Sequence, residues 1–271
     1  MNALECRMVE ALKELKEEYG AISVRAEFEA EGTRLEELLR LKEICMKSGL
    51  GLTLKIGGCE SMRDMLEARV VGVNYLVAPM VESAYALRKY LQAAGRVFSS
   101  EEREGTEILC NIETVAAINE LDEIMKIPEI PMLNGIVIER VDLSFSLGLD
   151  DQSINSEKVN GSVLKIIEKV KTGNFSCTIG GGVSAQSLPF FKSAPKGYID
   201  RYETRKVCFS CPSSINKNPA QGILKALGFE VLWLKNKINC YKERNIRDEE
   251  RMALIEHNYL QASDYISGRK N

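Results

Sequence analysis

The segment IVIERVDLSFSLG, residues 136–148, joins a buried-strand pattern directly to a group of charges. The apolar run 136–138 is typical of a strand inside a sheet. Glu139, Arg140 and Asp142 follow it at once, although charged side chains are rarely buried without a partner. In a parallel α/β barrel, the carboxyl ends of the strands form the active site. The segment therefore indicates a barrel strand that ends in a functional site.

Short apolar runs alternate with longer helical patterns along the rest of the chain. Strands separated by helical patterns indicate βαβ units and a parallel sheet, and seven or eight such units predict a (β/α)₈ TIM barrel. An open doubly wound sheet is the alternative, but no G-x-G-x-x-G turn follows its first strand. The predicted strands are 22–28, 51–57, 73–79, 107–113, 135–141, 175–181 and 197–209, and the predicted helices between them are 33–48, 60–69, 82–94, 114–126, 156–171 and about 184–193.

Sequence patterns at both ends of the chain predict helices. Leu4, Met8, Leu12 and Leu15 form the stripe of an amphipathic first helix. The eighth strand requires either two strands within 197–209 or the segment FEVLWL, residues 229–234. We expect residues 1–271 to form a single barrel domain. Its helical extension would cover 215–271, with a second helix from about 247 to 262.

Composition narrows the class of function. The chain has 271 residues, 45% of them hydrophobic, and a net charge of −3 with acidic and basic residues mixed. This mixture predicts no nucleic-acid partner and no membrane partner, and it favours a small-molecule substrate. No apolar run is long enough for a membrane span and the N-terminus lacks a signal-peptide pattern, so we expect a cytoplasmic protein.

The eight cysteines are scattered, and several lie in apolar runs, so we expect reduced and mostly buried thiols. Cys208 and Cys211 form a lone C-x-x-C, and the chain has one histidine, His257, which we expect on the surface. Zinc binding and a redox role are therefore disfavoured. Trp233 is expected to pack in the core or at an interface.

Ionisable residues stand at nearly every predicted strand end, which would bring them together at one mouth of the barrel. Two carboxylates on neighbouring strand ends, Glu113 and Asp142, are the oxygen ligands that Mg²⁺ or Mn²⁺ prefers. The other residues in this set are Glu27, Glu29, Lys55, Glu82, Arg140, Gly180, Gly181, Gly182, Glu203 and Arg205.

Three segments carry a family resemblance: LVAPMVESAYALRK (76–89), EILCNIETVAAINELDEI (107–124) and LNGIVIERVDLSFSLG (133–148). In this order and spacing they resemble the HpcH/HpaI aldolase/citrate lyase family, metal-dependent carbon–carbon lyases on a TIM barrel that act on 2-oxo acids or acyl thioesters. The resemblance implies that Glu113 and Asp142 hold the divalent ion. It further implies a pyruvate-like substrate and an enolate stabilised by the metal.

The sequence departs from the family at two positions that the resemblance assigns to catalysis. Lys55 stands where relatives have an arginine that neutralises the oxyanion, and lysine keeps the charge without the two-pronged geometry. The run Glu27-Phe28-Glu29-Ala30 lacks the family histidine that moves protons. We therefore predict Glu29 as the proton-transfer residue and Glu27 as a substrate contact.

A third departure concerns anion binding. Relatives have a Gly-Pro-Ala-like run before the aspartate, whereas this chain has Glu139-Arg140-Val141. Arg140 is predicted to supply a side-chain fork for a substrate carboxylate or phosphate, and Arg205 a second anion site. The glycines 180–182, with Gly181 at their centre, form either an amide nest for an anion or a plain tight turn.

Two other functions remain open on sequence alone. If apolar surroundings lower the pKa of Lys55, this residue could form a Schiff base with a carbonyl substrate. Alternatively, a barrel without its proton-transfer residue could serve as a binding protein. In each case the C-terminal helices, by resemblance to the family, predict a homo-oligomer.

Overall fold

A computed structural model describes residues 1–266 of the chain and shows an eight-stranded closed barrel, with strand order β1-β2-β3-β4-β5-β6-β7-β8 around the ring. The predicted barrel is confirmed, and most strand boundaries lie within a few residues of the predicted ones. The strands are β1 Ala21–Glu27, β2 Gly51–Lys55, β3 Tyr75–Ala78, β4 Glu107–Ile112, β5 Gly135–Glu139, β6 Ser176–Gly180, β7 Arg201–Glu203 and β8 Val207–Ser210.

Helices follow most of the strands and surround the barrel. They are α1 Ala3–Tyr19, α2 Leu35–Ser48, α3 Met62–Val71, α4 Ala84–Val97, α5 Val115–Ile124, α6 Arg140–Ser146, α7 Glu157–Thr172, α8 Leu188–Ser193 and α9 Pro219–Ile266. The strand predicted over 135–141 ends at Glu139, and Arg140 begins α6. The motif that contains Asp142 therefore lies in the first turn of a short helix.

The last strand differs from the prediction in direction. Residues 197–209 do supply two strands, but β8 runs antiparallel to both β7 and β1, whereas the other neighbouring pairs are parallel. The three-residue connection 204–206 explains this, because a parallel return requires a crossover of a dozen or more residues. The alternative eighth strand, 229–234, lies inside α9.

Side chains along each strand point alternately outward, into the apolar layer between strands and helices, and inward, into the interior of the barrel. In β5, Ile136 and Ile138 belong to the main core between strands and helices, whereas Val137 belongs to a small cluster with Val77 and Leu109. Glu139 has the same parity as Val137 and is likewise buried. Charged side chains at the upper end of such strands therefore turn toward the mouth of the barrel.

The C-terminal region is one continuous helix of 48 residues, not two helices. Trp233 is buried, as predicted, and α9 packs along α1. Gly228 lies within the helix without ending it. Residues 267–271 of the predicted extension lie outside the described part of the chain.

The cysteines are free thiols: Cys45, Cys110, Cys177 and Cys208 are buried, Cys59 and Cys211 are half-buried, and Cys6 and Cys240 are exposed. His257 is exposed, as predicted. No helix among residues 1–266 is both long and apolar enough to cross a membrane.

Candidate active site

Glu113 follows β4 directly and is held rigidly at the mouth of the barrel. Its Oε1 accepts a hydrogen bond of 2.5 Å from the backbone N–H of Met80, and its Oε2 accepts one of 2.8 Å from the Asn111 side chain. Met80 has a φ of +54°, a value that non-glycine residues adopt infrequently. The loop after β3 thus adopts an uncommon backbone conformation whose N–H bonds to this carboxylate.

Asp142 lies in the first turn of α6, directly after β5, which neighbours the strand that precedes Glu113. The pKa of Glu113 is raised mainly by burial, and the charge of Asp142 raises it further, while Met80, Asn111 and Lys55 act in the opposite direction. Asp142 itself is exposed at the start of α6. The two predicted metal ligands therefore interact electrostatically, one fixed in the barrel wall and one open to solvent.

Lys55 ends β2 with its side chain buried, and its Nζ lies 2.8 Å from Oε2 of Glu29. Burial alone would lower the pKa of Lys55, but the bond to Glu29 and the charges of Glu113 and Glu27 outweigh this, and the pKa is raised. Lys55 is therefore a cation at neutral pH. The lowered pKa that a Schiff-base lysine requires is not found.

A buried ionic cluster in the barrel was missed by sequence reasoning. Arg25 of β1 is 3% exposed and lies 3.1 Å from Glu27, 3.3 Å from Glu139 and 2.9 Å from Glu203, measured between side-chain nitrogens and oxygens. Glu27, predicted as a substrate contact, is thus paired inside the protein. The alternation of Ser23, Arg25 and Glu27 along β1 could have predicted this cluster. Side chains two residues apart on a strand point to the same side, which here is the barrel interior.

Three carboxylates share the single guanidinium of Arg25, so the cluster carries excess negative charge. Burial raises the pKa of Glu203 to about 7; Arg25 opposes the rise, and Glu139 and Glu27 add to it. Oε2 of Glu139 is buried without a hydrogen-bond partner. Gly180 makes room for this cluster, since a Cβ there would lie 2.6 Å from that oxygen.

Arg140 does not face the substrate side, and this corrects the sequence prediction. Its side chain is fully buried, with Nε donating to the Gly180 carbonyl at 3.1 Å and Nη2 donating to the Gly181 carbonyl at 2.9 Å and to Ser187 at 3.0 Å. Nη1 donates to Asn155 at 3.1 Å. Burial lowers its pKa to about 10. Arg140 therefore fixes the loop after β6 instead of presenting a fork for an anion.

The glycine run after β6 forms a tightly packed turn. Gly181 and Gly182 have φ values of +71° and +61°. A Cβ on Gly181 would lie 2.4 Å from the backbone nitrogen of Arg140, so only glycine fits here. Anion binding by Gly181 stays a prediction.

Arg205 lies in the turn between β7 and β8 and is half-exposed. Its Nε is 3.4 Å from Glu31 and 3.9 Å from Glu230 of α9, so two acidic residues already neutralise its charge. Glu31 also pairs with buried Lys206. These contacts give Arg205 a role in joining the turn to α9, and the predicted second anion site gains no support from them.

Among the residues that the structure describes, no group of three or more His, Cys, Asp or Glu side chains forms a ready metal cage. Glu113 and Asp142 supply two carboxylates and leave the remaining positions to other ligands. Mg²⁺ is commonly held by one or two carboxylates, with water and substrate completing its shell. The donor set is thus suited to a hard cation that shares its ligands with a substrate.

The fold and site together define a closed α/β barrel with ionisable side chains at the carboxyl ends of its strands, the arrangement of TIM-barrel enzymes. Residues 57–177 match the HpcH/HpaI aldolase/citrate lyase family. The resemblance predicted from the motifs is therefore confirmed: this segment, somewhat less than half of the chain, is similar to a family of aldolase- and citrate-lyase-like carbon–carbon lyases. The match includes Glu113 and Asp142 and begins after Lys55, Glu29 and Glu27.

Solved structures agree on the fold. The HpcH/HpaI aldolase from Desulfitobacterium hafniense DCB-2 superposes with a TM-score of 0.58 at 16% identity, covering 70% of this chain and 79% of that chain. An HpcH/HpaI aldolase/citrate lyase family protein from Burkholderia cenocepacia J2315 superposes with a TM-score of 0.57 at 12% identity, covering 84% of this chain and 99% of that chain. The citrate synthase SbnG superposes with a TM-score of 0.56 at 14% identity, covering 86% of this chain and 90% of that chain. The sequence comparison with curated proteins gives no match.

Proposed function

We propose that the chain is a divalent-metal-dependent lyase or synthase that cleaves or forms a carbon–carbon bond next to the carbonyl of a 2-oxo acid. The observation that carries this proposal is that Glu113 and Asp142 follow the neighbouring strands β4 and β5 and that the charge of Asp142 raises the pKa of Glu113. Two carboxylates in this relation repel each other until a cation or a proton lies between them.

Glu113 and Asp142 would hold a Mg²⁺ or Mn²⁺ ion. Each oxygen of Glu113 accepts one hydrogen bond, which leaves each a further lone pair for a cation. Such an ion, when bound, polarises the carbonyl oxygen of a pyruvate-like substrate and stabilises its enolate. Asn111 and the Met80 amide keep the Glu113 carboxylate in one orientation for this task.

Lys55 and Glu29 would act together beside this pair. The buried ammonium of Lys55 supplies a fixed positive charge for the developing oxyanion, as preorganised donors do in many lyases. Glu29 is half-exposed and contacts Lys55, so it can exchange a proton with solvent and with substrate. A Schiff base at Lys55 is the weaker alternative, because the raised pKa leaves little free amine.

Titration of the protein with Mn²⁺, followed by electron paramagnetic resonance of the free ion, tests the metal site. We expect Glu113→Gln and Asp142→Asn each to weaken binding by roughly 10-fold or more, since even outer-shell changes have effects of this size. Glu120→Gln, an exposed carboxylate on α5, is the matched control and should bind normally. Equal binding by the wild-type protein and both site variants, or no binding at all, contradicts the proposal.

Exchange of the methyl protons of pyruvate for deuterium, followed by nuclear magnetic resonance, tests the substrate class. We expect exchange in the presence of Mg²⁺, its loss on addition of a chelator, and its recovery when Mg²⁺ is restored. Trapping of a covalent adduct at Lys55 by borohydride would instead support the Schiff-base alternative.

A further inference from the structure

Helix α9 has one face that packs on its own barrel. Ala226, Phe229 and Trp233 are buried on this face, and Asn236 hydrogen-bonds to α1. Lys225 forms a 2.7 Å ion pair with Glu14 of α1. This face belongs to the intramolecular contact between α9 and α1.

A second apolar stripe lies on another face of the same helix and remains uncovered. Its first five side chains are between 47% and 63% exposed and are spaced by three and four residues in alternation: Leu224, Leu227, Val231, Leu234 and Ile238. The same spacing continues through Tyr241, Asn245, Asp248, Met252, Ile255, Tyr259 and Ala262. Tyr241 is partly covered by its own barrel, because its hydroxyl donates to Glu37 at 2.5 Å and Arg34 lies over its ring. Such a repeat is the a/d heptad pattern of a two-stranded coiled coil.

The distal part of α9 needs a partner for a physical reason. Every residue from 242 to 262 is exposed, so this segment extends from the barrel for about 30 Å at ~1.5 Å per residue. Most of the stability of helices in proteins comes from packing an apolar face, and isolated helices are marginal in water. Met252, Ile255 and Tyr259 offer that face here.

We propose that the a/d stripe of α9, residues 224–262, docks in parallel against the same stripe of a second copy of this chain. In this arrangement Asn245, at an a position, meets Asn245 of the second copy, a pairing that selects parallel dimers in register. The barrel of each copy lies on the side of Ala226, Phe229 and Trp233, away from the exposed stripe between 224 and 238. It also reaches the helix near 241–244, where Tyr241 donates a hydrogen bond to Glu37 and Arg244 pairs with Glu36.

The charges beside the stripe favour a second copy in the parallel direction. Arg251 occupies a g position and would face Glu256, at the next e position of the second copy. Arg244, also at a g position, would face Glu249 of the second copy and already lies 3.7 Å from its own Glu36. In an antiparallel pair, Arg244 would face Arg251 instead. Charges of both signs along 242–262 also argue against an anionic membrane surface as the occupant.

Two other charged residues occupy g or d positions of the repeat, Lys237 and Asp248. Lys237 would face a lysine of the second copy, but its charge is neutralised by its own Glu37 at 3.2 Å. Asp248, at a d position, lies three residues before Arg251, which can pair with it on the same helix. The polar interval 245–248 thus divides two apolar segments and fixes their register.

Light scattering on the full chain, combined with size-exclusion chromatography, gives the first test. We expect a mass that is a multiple of the 30.3 kDa chain at micromolar concentration. Val231→Glu/Ile238→Glu, at two exposed stripe positions, should shift the protein toward monomer without loss of helical circular dichroism. Arg247→Glu, exposed on another face of α9, is the matched control and should retain the wild-type mass.

Disulfide cross-linking tests the direction of the pair. In a Cys6→Ser/Cys240→Ser background, Leu234→Cys should form a covalent dimer on oxidation, because the two introduced thiols meet across a parallel seam. Glu250→Cys, exposed on the opposite side of the helix, should not. A monomeric wild-type protein, a stripe variant that keeps its mass, or no cross-link at position 234 would each overturn the proposal.

Discussion

Nη1 of Arg25 lies 2.9 Å from Oε1 of Glu203, and both side chains are almost completely buried inside the barrel. Glu27 and Glu139 contact the same guanidinium. One cation thus compensates three carboxylates in a region with little water. The consequences of removing either partner can be predicted with a definite sign.

Arg25→Met should destabilise the protein severely, by about 3–5 kcal/mol in the free energy of unfolding, because it leaves buried carboxylates without their cation. Urea denaturation followed by circular dichroism measures this loss. Arg205→Met removes a half-exposed arginine with two acidic neighbours and should cost less than about 1 kcal/mol. A mild effect at Arg25 would show that the cluster is neutral in the folded protein.

Glu203→Gln should change how stability depends on pH. The folded pKa of Glu203 is about 7, above its ordinary value of 4.5, so between these values the folded state binds more protons than the unfolded state. Stability contributed by protonated Glu203 is therefore present below about pH 4.5 and is lost as the pH rises through 7. Relative to wild type, the variant should gain about 1–3 kcal/mol between pH 4.5 and pH 8. A constant difference across this range would contradict the prediction.

Lys55→Met should lower the rate of pyruvate proton exchange by about 10²–10³-fold, the usual effect of losing one preorganised oxyanion donor. Lys55→Arg should retain part of the rate, because the charge persists while its geometry changes. Mn²⁺ binding is the control measurement and should survive in both variants, since neither removes a carboxylate. If both variants match the wild-type rate, Lys55 has no role at the oxyanion.

Arg140→Met should lower the melting temperature, with a loss of about 2–4 kcal/mol in unfolding free energy, because the carbonyls of Gly180 and Gly181 lose their donor in a buried region. Thermal unfolding by calorimetry measures the shift. Lys192→Met, a change on the exposed side of α8, provides a comparison with little expected effect. Unchanged stability would show that the hydrogen bonds of Arg140 contribute little to the folded state.

Most strands and helices of the barrel could be predicted from local sequence patterns. The strands and helices between 21 and 193 lie close to their predicted positions, because periodic apolar residues report directly which side of an element is buried. The direction of β8 could not be predicted, since the apolar pattern of a strand is the same whether the strand pairs in parallel or antiparallel fashion. Arg140 was misplaced because its sequence position, at a strand end, did not reveal the inward turn of α6.

The pattern of apolar, polar and charged residues by itself determined the barrel class, the order in which Glu113 and Asp142 follow neighbouring strands, and the family resemblance, because these depend on local order along the chain. Only the tertiary structure decided which charges meet. Arg25, Glu139 and Glu203 lie far apart in sequence, and ring closure brings them into contact across the interior. Partner choice among buried charges depends on distance and desolvation, which arise only when the strands have closed into the ring.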